Sequence, residues 1–279
     1  MAGKILVLGA TGNVGKPLVG ELAAKGERVK AASRSGKPVD GAEGVQFDFT
    51  DEATYGPALE GVDRAYVLAP TGTLDPLSVL MPFLKLAVER KVKIVLQSVF
   101  GVDADDNIPY RQVELFLERS GTPYVILRPN WFTDNFQLFW LEGIKHGVIS
   151  VPAGQGKSSF IDVRDIAASA AAALTSGRFD GQAFNLTGPE ALSYGEASAI
   201  LSKASGRAIA YKPTTDAEFV TMLVGAGVPK GYAEFLASIF HPVREGWTAA
   251  ISNAVQTLTG KAPRSVEAYA KDYAAVFAA

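Results

Sequence analysis

The chain has 279 residues, 48% hydrophobic and 20% charged, with 27 Lys and Arg against 29 Asp and Glu for a net charge of −2. That balance sets up no field to gather nucleic acid or an anionic membrane, so a small-molecule partner is expected. Cysteine is absent, which excludes disulfides, thiolate nucleophiles and cysteine metal sites.

The N-terminus, MAGKILVLGATG, passes from one lysine through four apolar residues into a glycine turn. This apolar stretch is too short for a signal-peptide core, and no later run approaches a membrane span, so a cytoplasmic location is expected. Short Val/Ile/Leu-rich runs follow in order as predicted strands: KILVL, RVKAAS, VQFDF, RAYVLA, KIVLQSV and PYVILR. Between them NVGKPLVGELAAK, DEATYGPALEG, the segment 74–90 and PYRQVELFLERSG carry helical apolar spacing. Strands apolar on both faces and separated by helices imply a doubly wound parallel α/β sheet of the Rossmann type.

After Arg128 the rhythm loosens. SSFIDVRDIAASAAAAL reads as a strand and an alanine-rich helix, QAFNLTG as a further strand, and RAIAYK as a strand within a mainly helical tail. The expected division is a dinucleotide-binding core over 1–135, rejoined by about 158–187, with 136–157 and 188–279 forming a smaller, mainly helical substrate lobe. No repeat or low-complexity linker separates them.

GATGNVG follows the first strand and opens a helix. Gly9 permits a tight turn, Gly12 lets backbone approach a diphosphate and Gly15 allows the helix to pack on the strand. The helix N-terminus offers unpaired N–H groups to phosphate. Gly9, Thr11, Gly12, Asn13, Val14 and Gly15 are therefore candidate cofactor contacts, weighed against a ligand-free strand-to-helix turn.

The spacing GxxGxxG, together with SRSGKP, FDFTD, VLAP, YRQVELFLERSGTPYVILRPNWFTDNF and SFIDVRDIA, resembles the short-chain dehydrogenase/reductases, and within them the atypical NmrA-like branch. The likeness spans most of residues 4–187. Its last two segments resemble type 2 NAD(P)H:quinone oxidoreductases and triphenylmethane reductases, with agroclavine dehydrogenases in the same neighbourhood. The resemblance implies a nicotinamide cofactor and hydride transfer.

The second strand ends in Ser33, Arg34, Ser35, Gly36 and Lys37, where NAD-specific folds carry an acidic residue. Hydroxyls and two cations suit a 2′-phosphate, and Arg34 can stack on adenine, so NADP(H) is expected rather than NAD(H). Solvated loop charges are the alternative. The resemblance gives Asp48, with Phe49 beside it, a place at the adenine amino group; the alternative for Asp48 is a helix cap. Leu68, Ala69 and Pro70 lie at a strand's carboxyl end, where open α/β sheets bind ligands.

In standard short-chain reductases a Tyr protonates the developing alkoxide, a Lys four residues on lowers its pKa, and a Ser steadies the oxygen. None of the nine tyrosines here is followed by Lys at that distance. Tyr110 is followed by Glu114, expected to be a solvated helix residue, and residues 98–120 contain no lysine of the isoflavone-reductase kind. By the resemblance Ser98 stands where the family's serine would be; a simple turn former at a strand end is the alternative. Ser98 and Tyr110 are the catalytic candidates, and Ser98 is a cofactor contact as well.

Loss of the acid pair constrains the acceptor. A ketone yields a basic alkoxide that needs a proton donor, whereas a quinone, iminium or triarylmethyl cation accepts hydride to give a delocalised or neutral product. Phe100, Tyr110, Trp131, Phe132 and Phe136 are candidate acceptor contacts, with Trp140 near them, since planar acceptors bind aromatic faces; core packing is the alternative for this cluster. A non-catalytic NADP(H)-sensing protein is the second expectation. His146 and His241 lack acidic partners at ligand spacing, so no metal is expected. Asp162 and Asp165 read as helix caps at a loop-to-helix junction.

Overall fold

A computed structural model of the chain describes residues 3–39 and 41–278. In chain order it forms β1 (Lys4–Val7), α1 (Gly15–Ala24), β2 (Val29–Ser33), β3 (Glu43–Gln46), α2 (Tyr55–Ala58), β4 (Val62–Leu68), α3 (Pro76–Glu89), β5 (Lys93–Gln97), α4 (Pro109–Arg119) and β6 (Tyr124–Pro129). Next come α5 (Leu141–Lys145), β7 (Val148–Ile149), β8 (Lys157–Ser158), α6 (Val163–Thr175), β9 (Gln182–Leu186), β10 (Leu192–Ser193), α7 (Tyr194–Ser205) and β11 (Ala210–Tyr211). The tail supplies α8 (Asp216–Gly225), α9 (Lys230–Ser238), α10 (His241–Arg244), α11 (Ala254–Thr259), α12 (Val266–Asp272) and α13 (Ala274–Ala278).

These elements build two compact units. The first comprises Met1–Pro129, Val163–Leu186 and Ala254–Lys261; the second comprises Asn130–Asp162, Thr187–Asn253 and Ala262–Ala279. The first break thus falls at Pro129/Asn130 rather than at 135, and α11 joins the first unit although its sequence position suggested the tail.

The first unit is a seven-stranded parallel sheet in the order β3-β2-β1-β4-β5-β6-β9. Its strands are apolar at successive positions because both faces are covered: Ile5, Leu6 and Val7 of β1 are all fully buried. On one face Leu6 and Leu8 pack with Phe83 and Leu84 of α3 and with Val113 and Leu117 of α4. Full burial of a side chain such as Phe83 is worth about 1.5–3 kcal/mol. Elsewhere α6 packs on α1 and on β4, β5 and β6. Its buried Ala167, Ala170, Ala171 and Ala173 let helix and neighbours approach closely. The chain runs outward from β1 to β3 and then crosses back to β4 on the other side of β1. The carboxyl ends of β1 and β4 therefore flank the switch point, the place where open α/β sheets leave a crevice for ligand.

Some predicted elements differ. VQFDF forms a strand only up to Gln46; Phe47 then leaves the ladder to stack on Tyr55, with ring centroids 5.3 Å apart. DEATYGPALEG forms a 3-10 turn, Glu52–Thr54, and the single turn α2, because Gly56 and Pro57 are poor helix formers. SSFID contributes only Ser158 to β8 and one bridge between Ile161 and Phe132.

The second unit has its own aromatic core, in which Phe136, Phe160, Tyr194, Phe240, Tyr269 and Phe277 are all buried. Two small sheets pin it, antiparallel β8 with β10 and parallel β7 with β11. Its α7 and α8 both begin with reciprocal capping boxes, Ser193 with Glu196 and Thr215 with Glu218.

Candidate active site

The turn after β1 is shaped by close backbone contacts. Gly9 adopts φ +64°, and Gly12 N–H donates to its carbonyl at 2.8 Å. A Cβ on Gly15 would lie 2.1 Å from Gly9 O and 2.9 Å from Ala10 Cα, so only glycine allows α1 to start this close to the strand. Helix α1 has no side-chain cap and no acidic residue in its first turn. Lys16 N already donates to Gly12 O at 3.0 Å and Pro17 has no N–H, so the groups left to an outside acceptor are the backbone N–H of Asn13, Val14 and Gly15. Thr11, Gly12 and Asn13 are exposed, whereas the Val14 side chain is buried, so Val14 offers backbone only. Leu68 closes one side: a Cβ on Gly9 would meet its Cδ2 at 3.2 Å. Ala69 is half-buried and Pro70 exposed.

At the end of β2, Gly36 turns the chain with φ +64°, and the hydroxyls of Ser33 and Ser35 meet at 3.3 Å. Arg34 and Lys37 are exposed beside them. The Asp48 carboxylate accepts from Thr50 N and Oγ1 at 2.9 and 2.8 Å, and these bonds, with a smaller contribution from Arg34, hold its pKa below the ordinary value. The helix cap considered for Asp48 belongs instead to Asp51, which accepts from Ala53 N at 3.1 Å. Phe49 is half-buried, edge-on to Phe47 with centroids 4.8 Å apart.

Beyond β5, Ser98 is 2% exposed. Its hydroxyl makes no hydrogen bond of acceptable geometry, yet it lies near enough to Glu114 to help keep that carboxylate ionised. Tyr110, on the first turn of α4, is half-buried, and burial pushes its phenol up to about 12. Tyr66 stands near it, raised by its own burial first and by Tyr110 second, and its hydroxyl meets Gln97 Oε1.

Glu114 is not the solvated residue that the sequence suggested; it is fully buried. Oε1 accepts from Arg128 Nε at 2.9 Å, while Oε2 accepts from Arg128 Nη2 at 2.7 Å and Arg111 Nη1 at 3.0 Å. Burial pushes this carboxyl up, but Arg128, the nearby Ser98 hydroxyl and Arg111 together outweigh it, and the group is held below its ordinary value. No motif in the sequence singled out Arg128. Its signal is a charge in an otherwise apolar strand of a parallel sheet, a position that requires a buried partner.

The sequence pattern of the NmrA-like family matches residues 1–270. This chain belongs to the NmrA-like family. Among similar proteins, the uncharacterized oxidoreductase YesF of Bacillus subtilis (strain 168) is 34% identical over 97% of this chain and 95% of its own. The NAD(P)H azoreductase of Xenophilus azovorans is 30% identical over 99% of each chain. Among solved structures, the NADPH-dependent quinone oxidoreductase of Escherichia coli, complexed with NADPH, superposes with TM-score 0.83 at 25% identity, covering 96% of this chain and 99% of that one.

In this NmrA-like chain the aromatic candidates of the second unit separate. Phe136 is fully buried against Trp140 and Phe160, with ring centroids at 5.0 and 5.4 Å. Its expected place on an acceptor wall is therefore corrected to a core role: no face of the ring is free. Trp131 and Phe132 are half-buried; Trp131 packs on Phe240 at 4.8 Å. Phe100 of the first unit is also half-buried. The histidines do have acidic neighbours, contrary to expectation: His146 lies 3.2 Å from Glu142 and His241 lies 3.8 Å from Glu245, each one helical turn away. Asp162 precedes α6 and Asp165 lies in its first turn, both buried.

Proposed function

We propose that the chain is an NADPH-dependent oxidoreductase that passes hydride to a quinone-like or otherwise electron-poor aromatic or iminium acceptor. The observation that carries this reading is an uncapped, glycine-lined helix N-terminus in the same unit as a Tyr110 whose partner four residues on is Glu114, not Lys. Gly12 would let the diphosphate approach the backbone, the N–H groups of Asn13, Val14 and Gly15 would receive it, and Ser33, Arg34 and Lys37 would take the 2′-phosphate. Asp48 keeps an acceptor oxygen for the adenine amino group. Bound there, the dinucleotide supplies the hydride.

The proton side is where this chain departs from its wider superfamily. A phenol pushed up to about 12 by burial, with no lysine to counter the shift, is a weaker acid than free tyrosine. Chemistry that builds a basic alkoxide is therefore disfavoured, and acceptors whose reduced form is delocalised or neutral are favoured. The residues then act by positioning and by excluding water rather than by strong acid catalysis. The names of the azoreductase and the quinone oxidoreductase similar to this chain lend support, because both describe reduction of planar, conjugated acceptors. In this reading the first unit carries the dinucleotide contacts, Trp131 and Phe132 of the second stay acceptor candidates, and the protein works in the cytoplasm on a small molecule.

The test is oxidation of NADPH by the purified chain with a naphthoquinone, an azo dye, a triarylmethane dye, an iminium salt and cyclohexanone. Turnover is expected with at least one conjugated acceptor and not with cyclohexanone. Tight NADPH binding without turnover on any of the five would sink the proposal.

A further inference from the structure

The loop joining β5 to α4, residues 98–108, carries both Ser98 and Phe100. Its first part extends the sheet: Ser98 N donates to Leu127 O at 2.8 Å and Phe100 N to Pro129 O at 3.1 Å. At Gly101 the backbone turns with φ +81°, and beyond it Asp103 to Asn107 are exposed, a segment with few apolar contacts to hold it.

Two ion pairs hold that segment instead. Arg128 Nη1 meets Asp103 Oδ2 at 2.5 Å, and Arg111 Nε meets Asp106 Oδ1 at 3.0 Å. Both arginines also sit on Glu114 Oε2, at 2.7 and 3.0 Å. One buried carboxylate is thus the common anchor of two guanidiniums, and each guanidinium reaches an aspartate of the same loop. Burying a charge to this extent is weak as a source of stability and suits a role in fixing one geometry.

From this arrangement we infer that Glu114 is a positioning residue. Through Arg128 and Arg111 it fixes the 98–108 loop so that the half-buried Phe100 keeps one orientation toward the acceptor, while the buried Ser98 hydroxyl lies beside Glu114 itself. The inference rests on the hydride-transfer reading above. It gives the Glu that replaces the superfamily's Lys a role of its own: it acts through two arginines on the loop and does not touch the reacting atoms.

The test uses the whole chain at saturating NADPH with a naphthoquinone as acceptor. Asp103→Asn removes charge at the exposed end of the clamp and leaves Glu114 paired with both arginines; Asp103→Glu restores the charge. Asp103→Asn is expected to raise the quinone KM about tenfold and to speed amide exchange across 98–108, while NADPH Kd and thermal midpoint hold. Asp103→Glu should recover most of the KM. An unchanged KM, or a rise matched by lost thermal stability and not rescued by Asp103→Glu, would overturn the inference. Should the wild-type chain reduce no acceptor, the hydride reading fails on its own. Amide exchange then decides the clamp: faster exchange in Asp103→Asn supports it, and unchanged protection sinks it.

Discussion

Arg128 seats two guanidinium nitrogens on the two oxygens of Glu114, at 2.9 and 2.7 Å, with the arginine 7% exposed and the glutamate fully buried. Parallel, charge-assisted bonds of this kind fix direction as well as distance. They join the middle of α4 to the end of β6 across fourteen residues of chain.

Removing one charge from this pair leaves the other buried and uncompensated. Glu114→Gln should therefore lower stability by about 3–5 kcal/mol, read as a shift in the urea midpoint. The folded carboxyl lies below its ordinary value of 4.5, so the unfolded chain binds the proton more readily. The stabilisation is then complete above 4.5 and is lost as pH falls through the folded value. A plot of stability against pH should be flatter on its acid side in the variant; identical slopes would show that Glu114 contributes nothing to acid unfolding.

Gly15→Ala places a carbon where the backbone of Gly9 already lies, 2.1 Å from its carbonyl oxygen. Overpacking of this kind costs about 1–3 kcal/mol, and NADPH binding should fall with it. Gly20 is a control on the same helix, with nothing within 4 Å of its would-be Cβ. Gly20→Ala should stabilise the protein by about 0.5–1 kcal/mol. Comparing Kd and melting temperature for the two variants checks both statements.

For cofactor choice, Arg34→Ala should weaken NADPH by at least about tenfold, roughly 1.4 kcal/mol, and NADH much less. Equal losses for the two dinucleotides would mean that the guanidinium stacks on adenine without reading the phosphate.

Tyr110→Phe should slow reduction of a triarylmethane dye only about two- to threefold, since that product needs no proton from the enzyme. Because burial pushes the phenol from 10.0 to about 12, kcat for the wild type should show no basic limb below its ordinary value. A loss of several orders of magnitude in the variant, or a limb near neutral pH, would make Tyr110 an acid catalyst.

Much of the first unit is legible in the amino-acid order, for reasons that can be named residue by residue. A run such as KIVLQ is apolar at successive positions because a parallel strand is covered on both faces, and Gly9, Gly12 and Gly15 announce a tight turn, in which the backbone leaves no room for a Cβ at Gly15. Phe136 misleads because an aromatic residue in the 3-10 turn Thr133–Gln137, a few residues after β6, looks the same in sequence whether its ring faces a ligand or Trp140. Asp48 and Asp51 are both plausible caps for one turn, and only backbone direction assigns the bond to Asp51.

The amino-acid order by itself determined the alternation of strand and helix, the glycine turn and the absence of lysine after Tyr110, because these depend on local periodicity, on backbone sterics and on residue identity. Only the tertiary structure decided what Glu114 does. A glutamate on a helix reads as solvated unless one knows what lies across from it, and here that is Arg128, brought to it by the packing of α4 on β6. Long-range pairing of opposite charges leaves no periodic trace in a single sequence. The exchange of Lys for Glu could be read as a loss from the sequence, and as the anchor of a loop only from the fold.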